Sequence, residues 1–232
     1  MKLIDALRIA NRQAASDARP FSAFLACGFT PLHFQTLLKA HLQLALPSHA
    51  VELRTGQYGS FIKTLETLSS ETVDYGIVLI EWPDVDPRLG LRHLGGWTSN
   101  VLDDILLASG RRLSHILELL KTIKSPIALA FPSLPTPPAA HNAAIEASRF
   151  DLHLQQLIAD FGAALPDSVV VLKSTELDRI SPLSQRHDLS SELLTGFPYS
   201  LSHADALASR ARPPPAAARN SDPNPSGVRR AG

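Results

Sequence analysis

The densest group of chemically capable side chains follows an apolar run at positions 75–80. It combines three carboxylates, an indole and a guanidinium: Glu81, Trp82, Asp84, Asp86 and Arg88. In α/β proteins, ligands bind outside the carboxyl ends of the strands, so these side chains are predicted to line a binding site. The alternative is a surface loop with solvated charges and a tryptophan packed over the core. In that case the two aspartates belong to a turn or pair with the arginine.

Two earlier segments also come directly after apolar runs. Gly28 and Thr30 follow the first run, and Gly56 and Gly59 follow the second. Since parallel strands end at a common edge of the sheet, these residues are expected to share one concavity with the loop at 81–88. Thr30 has a second interpretation as the N-cap of a helix that begins at the next residue, a proline. Cys27 is either a thiol nucleophile or, as is usual for a lone cysteine in an apolar strand, a small core residue.

The elements that must position these residues alternate between strand and helix. Apolar runs predict strands at 21–27, 50–54, 75–80, 127–131 and 169–172. Helical periodicity predicts helices at 3–15, 31–46, 62–68, 100–123, 143–164 and 201–209. Such alternation predicts an α/β, three-layer domain with a central parallel sheet of about five strands. We expect an N-terminal helix within 1–19, the α/β domain at 20–210, and a disordered Pro/Ala/Arg-rich tail at 211–232 with five prolines. A shifted reading frame or a truncation is an alternative origin for that tail.

Composition excludes several classes of protein. The 232 residues carry 22 Lys and Arg against 22 Asp and Glu, which argues against a nucleic-acid partner. The single Cys27 excludes an internal disulfide and a cysteine-rich metal cluster. No apolar stretch reaches the length of a membrane span, and the first residues lack a signal-peptide core, so a cytoplasmic protein is expected. The histidines show no metal-binding spacing and no glycine-rich phosphate loop occurs, so neither a metal nor a cofactor is predicted.

Three stretches resemble a known family when they are taken in order. They are 27–38, then 55–59 followed by 79–86, and then 188–208. Together they resemble the N-terminal domain of FkbH-like proteins of the HAD-IIIC phosphatase group, over about residues 20–209. The resemblance implies a flavodoxin-like fold of the SGNH (GDSL) hydrolase type and a role in bacterial secondary metabolism. In that family a following HAD phosphatase domain loads a phosphoglycerate-derived unit onto an acyl carrier protein. The Asp-x-Asp-x-Thr motif of such a domain is absent from this sequence.

The resemblance also implies roles for individual residues. Thr30 stands near the position of the SGNH serine, and His203 is the nearest candidate for the catalytic base. Gly56 or Gly59 would supply one oxyanion donor, but Asp84 stands where an asparagine donor is expected. We therefore predict a degenerate site that binds or docks a carrier-linked or small acyl substrate. Its predicted lining is Gly28, Gly56, Gly59, Glu81, Trp82, Asp84, Asp86 and Arg88. The alternatives are an active ester hydrolase or acyltransferase with Thr30 as nucleophile, and a structural fragment left by gene decay.

Overall fold

The computed structural model describes residues 1–12, 15–91, 99–135 and 149–213. Its centre is a five-stranded sheet in the order β2-β1-β3-β4-β5, with every neighbouring pair parallel. The strands are β1 Arg19–Ala26, β2 His49–Thr55, β3 Tyr75–Leu79, β4 Ile127–Ala130 and β5 Val169–Val171. The predicted α/β class with a central parallel sheet is confirmed, and the chain has a flavodoxin-like, SGNH-like architecture.

Helices flank this sheet. They are α1 Leu3–Ala10, α2 Leu32–Ala45, α3 Phe61–Ser70, α4 Trp82–Val85, α5 Ser99–Thr122, α6 Arg149–Ala163, α7 Ser174–Ile180, α8 Leu189–Thr195 and α9 Leu201–Arg210. Helix α2 packs against α1 and α9, while α5 packs against α3 and α6. All residues of β3 and β4 are buried, as expected for strands covered on both faces. In the described part of the chain, no helix is both long and apolar enough to cross a membrane.

Several predicted boundaries need correction. Helix α2 begins at Leu32 with Pro31 as its N-cap residue, and no side chain caps it, so the prediction of Thr30 as N-cap is wrong. Helix α1 ends at Ala10, well before the predicted residue 15. Helix α6 is described from Arg149 onward, and the predicted start of that helix at residue 143 lies outside the described residues. The short helices α4, α7 and α8 were not predicted, because one or two turns are too short to show a periodicity.

The last helix closes the domain as its apolar spacing predicts. Ala204, Leu207 and Ala208 are fully buried, whereas Leu201, which was predicted to lie on the same face, is 49% exposed. Packing continues beyond the helix, since Ala211 is also fully buried. Residues 214–232, most of the predicted tail, lie outside the described residues.

Candidate functional site

A cavity of about 470 Å³ lies where the strands β1, β2, β3 and β4 end. Its wall combines main chain and side chains from the loops after these strands with residues of helix α5 and of the segment 187–198. The lining residues are Gly28, Phe29, Tyr58, Gly59, Phe61, Glu81, Trp82, Pro83, Asp84, Pro87, Leu89, Gly90, Leu91, Arg112, Leu134, Pro135, His187, Leu189, Glu192, Gly196 and Pro198. The volume is that of a small-molecule site, and the position is the edge at which α/β proteins bind their ligands.

Asp84 joins the loop after β3 to the loop after β1. Its Oδ2 accepts a hydrogen bond from the main-chain N–H of Glu81 at 2.9 Å, and the N–H of Gly28 also favours its ionised form. A Cβ atom on residue 28 would lie 1.7 Å from Asp84 Oδ1, so the absence of a side chain on Gly28 lets the carboxyl group approach. Burial raises the pKa of Asp84 to about 7, because desolvation outweighs these hydrogen bonds and the nearby Arg112. The carboxyl group therefore exchanges a proton near neutral pH.

Glu81 is the most heavily hydrogen-bonded acid of the cavity wall. Its Oε1 accepts from Tyr199 Oη at 2.7 Å and from Ser133 Oγ at 2.7 Å. The main-chain N–H of Ser133 donates to Oε1 at 3.1 Å, and that of Leu134 donates to Oε2 at 3.4 Å. Burial raises the pKa of Glu81 despite these donors. The carboxyl group is thus fixed in one orientation by residues that lie 52 and 118 positions away in the sequence.

His203 continues this network away from the cavity. Its Nε2 lies 2.9 Å from Ser133 Oγ, and its Nδ1 lies 2.9 Å from Ser181 Oγ. When Glu81 is ionised, one arrangement of hydrogens satisfies every group: Ser181 donates to Nδ1, Nε2–H donates to Ser133, and Ser133 donates to Glu81. Burial, together with the nearby Arg186, lowers the pKa of His203 to about 3, so the imidazole is neutral.

This arrangement does not support the predicted pairing of His203 with Thr30 as base and nucleophile. Both ring nitrogens of His203 bond serine hydroxyls, and the side chain has no exposed surface. The main-chain N–H of Thr30 donates to the carbonyl oxygen of Gly196 at 3.1 Å, which removes it as an oxyanion donor. Among the described residues that line the cavity, none is a serine, threonine or cysteine.

Cys27 is not a nucleophile either. The side chain is 6% exposed, and its thiol donates weakly to the carbonyl oxygen of Phe29 at 3.4 Å. Burial, with a smaller effect of Asp84, raises the pKa of the thiol far above its usual range. The interpretation of Cys27 as a small core residue agrees with this environment.

The remaining predicted site residues divide into two groups. Gly59, with a φ of 79°, and Trp82 line the cavity. Trp82 is held by a hydrogen bond from Nε1 to the carbonyl oxygen of Leu134 at 3.1 Å. Gly56 is outside the wall: its missing side chain makes room for Thr64, whose Cγ2 would lie 2.2 Å from an added Cβ.

Asp86 and Arg88 form an ion pair with each other outside the cavity wall. The guanidinium donates to Asp86 Oδ2 at 2.8 Å, and its other arm donates to Asp104 Oδ2 at 2.6 Å. This is the local pairing that the sequence offered as the alternative to ligand binding. Neither residue is among those that line the cavity.

Sequence reasoning missed four polar residues of the site region. Arg112 lies on α5, where a charge is usually solvated, and Ser133 lies in a proline-rich loop. His187 and Glu192 line the cavity as a hydrogen-bonded pair across the start of α8. Helical periodicity does not reveal this pair, because His187 lies before the helix and Asp188 is the N-cap residue of α8. In the described residues, no group of three or more His, Cys, Asp or Glu side chains is arranged to hold a metal ion.

The fold of this domain is similar to that of a crystallised bacterial protein. No known protein-family model matches the sequence, and no curated protein matches it. The N-terminal part of BF1531 from Bacteroides fragilis, which contains a phosphatase domain and was crystallised with Mg, superposes with a TM-score of 0.69 at 14% identity. The match covers 90% of this chain and 55% of that chain, so this chain spans about half of the BF1531 fragment. At this identity the likeness establishes the fold alone.

Two further solved structures share less with this chain. They are a mutant of Axe2, an acetyl-xylooligosaccharide esterase from Geobacillus, and the protein YxiM from Bacillus subtilis. Their TM-scores are 0.43 and 0.38 at 11% and 15% identity. The matches cover 84% and 85% of this chain, and 93% and 55% of the other chains. Neither likeness supports a conclusion about this protein.

Proposed function

We propose that this chain is an SGNH-like domain that binds a small or carrier-linked acyl group without cleaving it. The observation that carries the proposal is the composition of the cavity wall. The wall is largely aromatic, leucine and proline side chains around the two buried acids Glu81 and Asp84, and its described residues include no serine, threonine or cysteine. Apolar walls with a few fixed polar groups are typical of ligand sites.

The position of Asp84 supports binding over ester hydrolysis. An oxyanion hole needs donors aimed at the developing negative charge. Here the Gly28 and Glu81 N–H groups face the Asp84 carboxyl, and the Thr30 N–H faces Gly196. These donors are therefore already engaged, and the ionised form of Asp84 opposes the negative charge that acyl transfer would develop. The alternative of an ester hydrolase with Thr30 as nucleophile has no comparable support.

The resemblance to FkbH-like proteins also suggests which proteins act together with this domain. In that family an SGNH-like domain precedes a HAD phosphatase domain, and the BF1531 fragment, which shares this fold, contains a phosphatase domain. We infer that this domain works beside a HAD phosphatase domain, on the same or another chain, and presents an acyl unit that an acyl carrier protein delivers.

Titration with hexanoyl-pantetheine, a mimic of a carrier-linked acyl group, tests the binding function. The cavity contains Trp82, so its fluorescence and calorimetry both report occupancy. We expect Leu189→Glu to weaken binding about tenfold, since an apolar contact of about 1.4 kcal/mol is lost at the cavity wall. Leu193→Glu is the matched control, because Leu193 lies on the same helix, is 60% exposed and does not line the cavity.

Two results would contradict the proposal. One is the absence of any binding of hexanoyl-pantetheine at millimolar concentration; the other is an equal loss in the two leucine variants. Rapid hydrolysis of p-nitrophenyl butyrate that Thr30→Ala abolishes would instead establish the hydrolase alternative.

A further inference from the structure

Arg112 brings a positive charge to the cavity wall. It lies on α5 and is half-buried, and its Nε donates to the main-chain carbonyl oxygen of Asp84 at 3.2 Å. Among the described residues, no hydrogen bond to either of its terminal nitrogens occurs. The other base of the wall, His187, is paired with Glu192. The guanidinium is therefore anchored at one end and open at the other.

An open guanidinium fork has a defined chemical preference. Two parallel N–H groups match the two oxygens of a carboxylate, and such bidentate pairs are stronger than neutral hydrogen bonds. The remaining wall around Arg112 is mostly apolar, with Trp82, Leu134 and Leu89 among its members. A ligand that complements both features has a short apolar chain and one carboxylate.

Binding of such a ligand is expected to change the protonation of Asp84. A ligand carboxylate on Arg112 lies close to the Asp84 carboxyl, and two like charges so close do not both stay ionised. The charged and titratable groups that face Asp84 are Cys27 from the end of β1, Glu81 from the end of β3 and Arg112 from α5. The hydrogen-bonded pair of His187 and Glu192 lines the same cavity. Burial raises the pKa of Asp84 to about 7, so its carboxyl group can take up a proton near neutral pH.

We infer that the cavity selects acyl ligands that bear a free carboxylate, which Arg112 binds while Asp84 takes up a proton. This inference rests on the proposed acyl-binding function and narrows its ligand class. Arg112 supplies the charge and the geometry, and Asp84 acts as the neutral hydrogen-bond donor beside the bound carboxylate. The predicted consequence is that binding weakens as the pH rises above about 7, the pKa of Asp84.

Calorimetry with hexanoate and its neutral isostere hexanamide tests the inference. The wild-type protein should bind hexanoate at least about tenfold more tightly than hexanamide. Arg112→Gln should remove this preference, Arg112→Lys should retain part of it, and Arg111→Gln, at an exposed neighbouring position, should leave it intact. At pH 8, titration in two buffers of different ionisation enthalpy should show proton uptake in the wild type and none in Asp84→Asn.

The outcomes separate this inference from the function on which it rests. Equal or tighter binding of hexanamide, or an unchanged preference in Arg112→Gln and Arg112→Lys, overturns the selection of carboxylates. If hexanoyl-pantetheine still binds in that case, the acyl-binding function stands. If none of the three compounds binds to folded wild-type protein, both proposals fail together. Proton uptake that persists in Asp84→Asn refutes the role of Asp84 alone.

Discussion

His203 should make this domain sensitive to acid. The imidazole is fully buried between two serine hydroxyls, and burial lowers its pKa from 6.5 to about 3 in the folded state. The unfolded chain binds a proton at His203 below pH 6.5 while the folded chain does not. Stability contributed by the neutral imidazole is therefore complete above pH 6.5 and is lost as the pH falls toward 3. The full loss corresponds to about 5 kcal/mol, at about 1.4 kcal/mol for each pH unit.

Urea unfolding at pH 7.5 and pH 4.5 measures this loss in the wild type and in His203→Gln. The wild type should lose roughly 3 kcal/mol more than the variant between the two values of pH. Asp84 and Glu81 act in the opposite direction, because their pKa values are raised and their protonated forms favour the folded state at low pH. Both proteins contain these acids, so the difference between the proteins isolates the histidine.

The control for this experiment is His115→Gln, a substitution at an exposed position of α5. It should follow the wild type at both values of pH. The reasoning is refuted if His203→Gln loses as much stability on acidification as the wild type, since the imidazole would then be protonated in the fold or irrelevant to it.

Three further outcomes follow from the loops after β1 and β3. Between pH 5 and pH 8 the wild type should lose roughly 3 kcal/mol more stability than Asp84→Asn, because only the wild type has the Asp84 carboxyl to ionise. Parallel urea-unfolding profiles of the two proteins would contradict the assignment. Gly28→Ala should lower the free energy of unfolding by about 2 kcal/mol or more, because its Cβ would meet Asp84 Oδ1. Adding Asp84→Ala should recover part of that loss, and strictly additive effects in the double-mutant cycle would exclude the clash. Cys27 should react with a chromogenic disulfide at pH 8 only after unfolding, because burial raises the pKa of its thiol and shields it from the reagent. Rapid labelling of the folded protein would show that the thiol is accessible and would contradict this prediction.

The sheet was predictable because its strands are uninterrupted apolar runs. Positions 75–80 and 127–131 anticipated β3 and β4 to within one residue at their ends, since strands covered on both faces must be apolar throughout. The meeting of Gly59, Trp82 and Asp84 at one cavity followed from the shared edge of parallel strands.

The partners of the polar side chains were not predictable in the same way. His203 bonds Ser133 across 70 residues, and no local pattern encodes a contact at that separation. Ser133 lies in a proline-rich loop, and Arg112 looks like an ordinary exposed helical charge in the sequence. Asp86 illustrates the opposite error. Its arginine partner lies two residues away, so the sequence alone indicates this local pairing as well as it indicates ligand binding.

The hydrogen bonds of Glu81 have a consequence for the order in which the domain forms. During synthesis, β1 and β3 leave the ribosome long before residue 199, whose hydroxyl completes the set of donors to Glu81. Until then the carboxylate must stay hydrated, which keeps water at the floor of the future cavity. The sheet is thus able to form before its binding site does. The cavity takes its final shape only when the segment 187–199 docks, because five residues of that segment line it and Tyr199 bonds Glu81, so the site is completed late in the assembly of the domain.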